Sequence, residues 1–309
     1  MSSLSIGIVG LPNVGKSTLF NALTNASVLA ANYPFATIEP NTGIVPVPDA
    51  RLDVLASMYK TNKVIPATVE FVDVAGLVAG ASKGEGLGNK FLANIRQTDA
   101  VCHIVRAFYD DRIQRVDGSV DISPTADIEI INTELMLADI STIENHLSKV
   151  LKEVKSNPRM QATVDYLKFI QNELMAGRIP DKWDTDKLHG LDLLTAKPVI
   201  YVFNVDENGL TDVARQNELR QIIQPKSSSE TVRNVIFICA KLESELRELT
   251  EVEAQELLAD YGVKESGLIK LVTAAYDTLN LQSFLTAGEK EVRAWTIKQG
   301  STAPQAAGV

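Results

Sequence analysis

The sequence predicts an α/β fold: a doubly wound, mostly parallel sheet with an antiparallel helical hairpin inserted into it. Three observations predict this. First, a short apolar run, Leu4–Val9, passes through the glycine-rich stretch GLPNVGKST (Gly10–Thr18) into LFNALTNA, which has helical spacing. Second, short apolar, β-branched runs alternate with helical segments along the chain, as in a parallel sheet covered on both faces. Third, about ninety residues separate two of those runs, far more than an α/β crossover needs.

Size and composition bound the reading. The chain has 309 residues, is 45% apolar and carries a net charge of −9. It is long enough for roughly two or three domains. The acidic balance counts against a sequence-reading DNA-binding protein, though not against a local basic patch. Cys102 and Cys239 each sit inside an apolar run, as buried thiols of a reduced compartment do. The start, MSSLSIGIVG, lacks a basic segment followed by a long apolar core, so no signal peptide is expected. No stretch approaches the roughly 18 apolar residues of a membrane span. The expectation is a soluble cytoplasmic protein without a membrane or DNA partner.

The glycine-rich stretch matches G-x-x-x-x-G-K-[ST] between strand and helix, the context in which that motif cradles phosphates. Small residues let loop amides point inward, and the helix N-terminus adds partial positive charge. A tight glycine turn is the plain structural alternative. The nucleotide-binding candidates here are Asn13, Val14, Gly15, Lys16, Ser17 and Thr18. Lys16 would reach the β- and γ-phosphates, and the Ser17 hydroxyl would ligate Mg²⁺.

ATVEFVDVAG (Ala67–Gly76) reads as a buried strand ending in Asp73, followed three residues on by Gly76. A carboxylate at a strand end beside a phosphate loop suits Mg²⁺ held through water, and the Gly76 amide suits a γ-phosphate sensor. The intervening NYPFATIEPN (Asn32–Asn41) is polar and proline-punctuated, hence a loop. Within it Thr37 is a candidate second Mg²⁺ ligand, and Phe35 is counted with the nucleotide-binding residues.

Further strands are expected in DAVCHIVRAF (from Asp99), KPVIYVF (to Phe203) and NVIFICA (to Ala240). His103, inside a strand, reads as a packed core residue. Ala240 and Lys241 close the last strand, where a loop could touch base or ribose. The stretch VIYVFNVDENG ends a strand in Asn204-Val205-Asp206-Glu207. Many GTP-binding proteins have Asn-Lys-x-Asp there, and the Asp carboxylate accepts from guanine N1 and N2. Here Val205 stands for the Lys and Glu207 for the Asp. Asn204 can still serve purine N7 or adenine N6. Asn204, Val205 and Glu207 are therefore base-side candidates, and ATP is expected to bind at least as well as GTP.

The long gap carries its own pattern. Ile140, Ile143, Leu147, Val150 and Val154 fall at heptad spacing. After Asn157-Pro158, a second helical pattern runs through Met160, Val164, Leu167, Ile170 and Leu174. Two helices around a proline-marked turn make an antiparallel hairpin. Lys149, Lys152, Lys155 and Arg159 cluster near its tip. They suit RNA phosphates, and equally a solvated helix end whose cations complement the dipole.

Several phrases resemble the Obg-related YchF family, the Obg-like ATPases of the TRAFAC class of P-loop NTPases. They are GIVGLPNVGKSTLFNAL, NYPFATIEPNTGIVPVPDARLD, EFVDVAGLVAGASKGEGLGNKFLANIR and SPTADIEIINTELMLADI. The resemblance covers nearly the whole chain. It implies a nucleotide-binding domain interrupted by a helical hairpin, a C-terminal TGS domain, nucleoside triphosphatase activity and association with ribosomes. It also implies Asn-x-x-Glu at the base site and a preference for ATP. The segments are then 1–127 and 196–278 for the nucleotide-binding domain, 128–195 for the hairpin and 279–309 for the TGS domain. From Leu279 onward the tail resembles only the opening of that domain, so an incomplete TGS sheet is expected.

Catalysis is less legible. Ras-like enzymes orient the attacking water with a Gln after Asp-x-x-Gly. Here that position is Leu77, and the resemblance implies an apolar residue there too. Hydrolysis then needs another group, a partner, or K⁺ held near Asn13. Asn13 could as readily cap its own loop. Some family members carry a His after the HIVR strand; DDRIQRVDG has Arg115 and no His, so no catalytic histidine is assigned. Three function classes remain. They are an ATP-hydrolysing, ribosome-associated switch acting as a monomer, a GTP-specific Obg-type switch, and a P-loop phosphotransferase on a small metabolite.

Overall fold

The computed structural model describes residues 4–25, 41–74, 87–114, 119–154, 157–188, 190–223 and 235–309. They fall into two compact units. Met1–Val74, Thr98–Pro124 and Pro198–Val309 form the first, and Ala75–Gln97 and Thr125–Lys197 the second.

In chain order the elements are β1 (Ser5–Val9), α1 (Lys16–Asn25), β2 (Thr42–Pro46), α2 (Ala50–Tyr59), β3 (Val64–Ile65) and β4 (Thr68–Asp73). Then come α3 (Leu87–Arg96), β5 (Ala100–Arg106), α4 (Pro124–Glu153), α5 (Gln161–Met175), α6 (Thr185–Leu188) and β6 (Val199–Asn204). The chain continues through α7 (Val213–Ile223), β7 (Val235–Ile238), α8 (Ala240–Leu246), α9 (Glu251–Asp260) and α10 (Gly267–Thr278). It ends in β8 (Leu281–Ala287), β9 (Val292–Lys298) and α11 (Ala303–Ala307).

The first unit is built on a six-stranded sheet of order β2-β4-β1-β5-β6-β7. Every pair is parallel except β2 with β4. All residues of β1 and β5 are buried, as expected of central strands covered on both faces. β2 is an edge strand that half-buried and buried residues share, and it ends at Pro46, which an edge tolerates. Register decides where the chemistry gathers. Ile8 pairs with Asp73, Arg106 with Asn204, and Asn204 with Ile238. The ends of β1, β4, β5, β6 and β7 therefore open at one edge, where parallel α/β sheets bind ligands.

The same unit holds a second sheet of order β3-β9-β8. β8 and β9 form a hairpin, and β9 takes the two-residue β3 as a parallel neighbour. The amide of Val292 donates to the Lys63 carbonyl at 2.9 Å. Helices α2 and α10 pack on this sheet. That docking groups the tail with the first unit.

The second unit is helical. α4 runs for 30 residues and starts well before the heptad seam read from Ile140. Ile143, Leu147 and Val150 are buried against Val164, Leu167, Ile170 and Leu174 of α5, with Ile140, Val154 and Met160 partly buried beside them. A 3₁₀ turn at Pro158–Met160 reverses the chain. Asp139 closes the base. Its carboxylate accepts from the Leu194 amide at 2.9 Å and from the Thr195 amide and hydroxyl, each at 2.7 Å. Burial pushes its pKa up, opposed by those three bonds. Arg96 of α3 donates to the Thr142 hydroxyl at 3.0 Å, which ties α3 to α4. Among the described residues no helix is long and apolar enough to cross a membrane.

Candidate functional site

The phosphate loop joins β1 to α1 and has an unusual backbone. Asn13 and Gly15 have φ of +64° and +92°. Asparagine tolerates that region and glycine favours it. The Gly15 carbonyl accepts from the Leu19 amide at 3.0 Å and starts the helix. Lys16 follows, with its ammonium against the Asp73 carboxylate at the end of β4. Ser17 and Thr18 are exposed at the head of α1, and Val14 is buried.

The other wall comes from the ends of β6 and β7. Asn204 is buried, and its Nδ2 donates to the Val14 carbonyl at 2.9 Å while its Oδ1 accepts from the Ala240 amide at 3.0 Å. One amide thus joins the phosphate loop to the head of α8. A second Nδ2 hydrogen and a second Oδ1 lone pair remain for a ligand. Val205 is buried, and its amide donates to the Ile238 carbonyl at 2.8 Å. Gly209 makes a tight turn, its amide donating to Asp206 Oδ1 at 2.8 Å. Glu207 accepts from Lys241 Nζ at 2.8 Å. That bond, above all, holds the Glu207 carboxyl below its ordinary pKa and raises the Lys241 ammonium.

One boundary differs from the sequence reading. β7 ends at Ile238, Cys239 is the N-cap of α8, and Ala240 and Lys241 are its first residues rather than the end of a strand. The cause is the side-chain carbonyl oxygen of Asn204, which satisfies the otherwise unpartnered Ala240 amide and lets the helix begin there.

These walls enclose a cleft of about 860 Å³. Asn13, Gly15, Thr18, Asn204, Val205, Glu207, Ala240 and Lys241 line it. So do Phe108–Asp110 and Arg112–Gln114, which follow β5. The sequence reading missed this third wall and the buried residue behind it, Arg106. The Asn13 side chain reaches the third wall, its Nδ2 donating to the Gln114 carbonyl at 3.1 Å. K⁺ takes oxygen ligands and an amide NH₂ has no lone pair to offer, so Oδ1 is the Asn13 atom that could serve K⁺.

Phe35, Thr37, Gly76, Leu77, Arg115 and Lys155 lie outside the described residues. Lys149, Lys152 and Arg159 are exposed at the hairpin turn. His103 is buried in β5, 2% exposed, with its ring 5.5 Å from that of Tyr201, and burial lowers its pKa to about 3. It is a core residue.

The donors fit Mg²⁺. Hydroxyl and carboxylate oxygens, from Ser17 and Asp73, are hard ligands. Among the described residues no three His, Cys, Asp or Glu side chains gather as a metal site. A cation here would take its other ligands from phosphate and water, as Mg²⁺ does in phosphoryl transfer. The loop also has a glycine cradle that a Cβ would fill: one built on Gly15 would stand 2.3 Å from Asn204 Nδ2.

Comparison with known proteins agrees with this geometry. A family model described as "50S ribosome-binding GTPase" matches residues 5–133, and the C-terminal model of YchF GTPases, described as a "Protein of unknown function", matches residues 281–309. "Ribosome-binding ATPase YchF" of Pasteurella multocida is 50% identical over 98% of this chain and 83% of its own length. The protein of that name from Bacillus subtilis is 47% identical over 99% and 84%. The solved "Structure of the Schizosaccharomyces pombe YchF GTPase" superposes with a TM-score of 0.82 at 40% identity, covering 99% of this chain and 84% of that one. With the glycine-rich G-x-x-x-x-G-K-S loop between strand and helix, Asn-x-x-Glu at the end of β6 and this likeness along nearly its whole length, the chain belongs to the YchF family.

Proposed function

We propose that this chain is a ribosome-associated P-loop nucleoside triphosphatase that hydrolyses ATP in preference to GTP, with its nucleotide state controlling ribosome binding. The observation that carries the proposal is the cleft itself, which brings the phosphate loop and the Asn204–Glu207 wall to one edge of a parallel sheet. Relatives about half identical are named ribosome-binding ATPases. In this reading Lys16 exchanges the Asp73 carboxylate for β- and γ-phosphate oxygens. Ser17, Thr37 and, through water, Asp73 would hold Mg²⁺, which would supply neutralisation of the charge on the phosphates. Loop amides from Asn13 to Thr18 cradle the phosphates, Phe35 flanks the nucleotide, and Gly76 senses the γ-phosphate. Leu77 offers no hydrogen bond to water, so turnover is slow until a partner, or K⁺ beside Asn13, completes the site.

The remaining parts follow from the same reading. Residues 1–127 and 196–278 form the nucleotide-binding domain, 128–195 the docking hairpin and 279–309 the start of a TGS domain. Lys149, Lys152, Lys155 and Arg159 meet rRNA phosphates. The protein works as a cytoplasmic monomer without a DNA or membrane partner. A GTP-specific Obg-type switch uses the same residues and differs at the base. A small-metabolite phosphotransferase would need an acceptor pocket as well. Phosphate release from ATP and from GTP, each with and without ribosomes, separates the three. Stimulation by ribosomes with ATP supports the proposal, and turnover that depends on a small acceptor instead of water overturns it.

A further inference from the structure

Arg106 ends β5 and is only 3% exposed. Its guanidinium donates to three carbonyls of one loop: Nε to Phe108 at 3.1 Å, Nη1 to Ile113 at 2.9 Å and Nη2 to Asp110 at 3.0 Å. It also lies over the Phe108 ring, 5.0 Å from the centroid. A planar fork presents donors on three nitrogens in fixed directions and pins a loop at several points, whereas the three donors of a lysine ammonium all leave one rotatable nitrogen. The pinned loop is the third wall of the cleft. Its last described residue, Gln114, offers the carbonyl that accepts from Asn13 Nδ2. Asn13 sits in the left-handed turn of the phosphate loop. Contacts therefore run without a gap from Arg106 through residues 108–114 to Asn13.

We infer that Arg106 is a positioning residue for nucleotide binding, holding the loop after β5 so that Gln114 keeps the phosphate loop in its anion-binding shape before the nucleotide arrives. The inference rests on the proposed reading of the cleft as a nucleoside triphosphate site. Its logic is preorganisation: a loop already ordered loses less conformational freedom when it binds, and the gain shows mainly as slower release. A side chain that merely filled the core would alter melting and leave the affinity of the folded protein unchanged.

The test uses the whole chain, Mg²⁺ and a fluorescent N-methylanthraniloyl-ATP in stopped flow. Arg106→Lys keeps the charge and loses the fork. Asn13→Gly removes the other end of the chain of contacts at a φ that glycine adopts without strain. Each should raise Kd about tenfold, mostly through faster dissociation. The double variant should be no worse than the weaker single one, because both break one chain of contacts. Melting temperature without nucleotide reports folding separately. Unchanged release from folded Arg106→Lys, or losses that add in the double variant, overturn the inference. If Arg106→Lys does not fold, unchanged release from Asn13→Gly overturns it alone. If the unaltered chain fails to bind the probe, the cleft reading falls and takes this inference with it. Binding that is intact in the unaltered chain and in both variants sinks only the role of Arg106.

Discussion

Gly15 and Asn204 meet where no side chain fits between them. A Cβ on Gly15 would come within 2.3 Å of Asn204 Nδ2, and the same amide donates to the neighbouring Val14 carbonyl. The glycine-rich loop and the wall formed by Asn204–Glu207, far apart in sequence, are thus one assembly built around a single asparagine. That explains a buried polar residue at the end of an otherwise apolar strand. It also means that damage to the loop should be felt at the Asn204–Glu207 wall.

Gly15→Ala puts this to the test. Alanine must adopt a φ of +92° and push against Asn204. Backbone strain and overpacking each cost about 1–3 kcal/mol. The expected drop in folding stability without nucleotide is about 3 kcal/mol, read by urea unfolding. ATP binding should fall with it. Stability within about 0.5 kcal/mol of the unaltered chain, in the range of ordinary surface changes, would show that the loop is free to move away from Asn204.

What was legible in the sequence, and what was not, follows from how local the chemistry is. Gly15, Lys16 and Ser17 are neighbours in one glycine-rich motif between a strand and a helix, so the motif carries its own structure. The hairpin core was legible for a similar reason: Ile143, Leu147 and Val150 repeat at the spacing that one helix face imposes. β3 was not, since two residues carry no period. Arg106 was hidden because its partners are backbone carbonyls, which any residue type supplies. Its only sequence trace is an arginine closing the apolar run VCHIVR. The Glu207–Lys241 pair spans 34 residues and depends on α8 starting at Ala240, a boundary that Asn204 sets from another strand.

The hairpin tip offers a test of the ribosome interaction. Lys149, Lys152 and Arg159 are exposed at the turn between α4 and α5. If they and Lys155 neutralise RNA phosphates, replacing all four by Gln should weaken ribosome binding. The salt dependence should flatten by roughly 0.7–0.9 of a log unit for each phosphate no longer neutralised. ATP hydrolysis without ribosomes should hardly change. An unaltered salt slope would leave these cations as the solvated end of two helices.

His103 gives a pH dependence with a definite sign. Its pKa falls from 6.5 to about 3 in the folded chain because burial disfavours the imidazolium. Below pH 6.5 the unfolded chain binds a proton that the folded chain refuses, so stability falls as pH falls from 6.5 towards 3. The slope is about 1.4 kcal/mol per pH unit, which amounts to about 2 kcal/mol at pH 5. Asp139 and Glu243, whose pKa values burial raises, contribute in the opposite direction. They are common to the unaltered chain and His103→Leu, so the difference between the two isolates the histidine. Urea midpoints at pH 7 and pH 5 should show the unaltered chain losing about 2 kcal/mol more than the variant. Parallel pH curves would mean that His103 gains a proton without unfolding.

A preference for ATP is the sharpest consequence of the proposed function. Guanine offers N1–H and N2–H to a carboxylate that stands free to accept both, whereas adenine has no N2 amino group and its N1 is an acceptor. Glu207 is one methylene longer than the aspartate of the guanine-reading motif, and one of its oxygens accepts from Lys241 at 2.8 Å. Lys241 is largely exposed, so this pair is weak and does not by itself exclude guanine. On the proposed function the larger effect would come from the change in reach, which would remove charge-assisted hydrogen bonds to guanine worth about 1.5–3 kcal/mol each. Val205, buried beside the loop, also lacks the lysine stem that packs across the base in guanine readers. ATP should therefore bind the unaltered chain at least as tightly as GTP. Val205→Lys with Glu207→Asp should shift the ratio towards GTP by about tenfold or more, the equivalent of one recovered hydrogen bond. Lys241→Ala should shift it no more than a few-fold, as an exposed pair allows. Competition of ATP and GTP for the same labelled nucleotide measures all three chains, and a large GTP preference in the unaltered protein would sink the adenine reading.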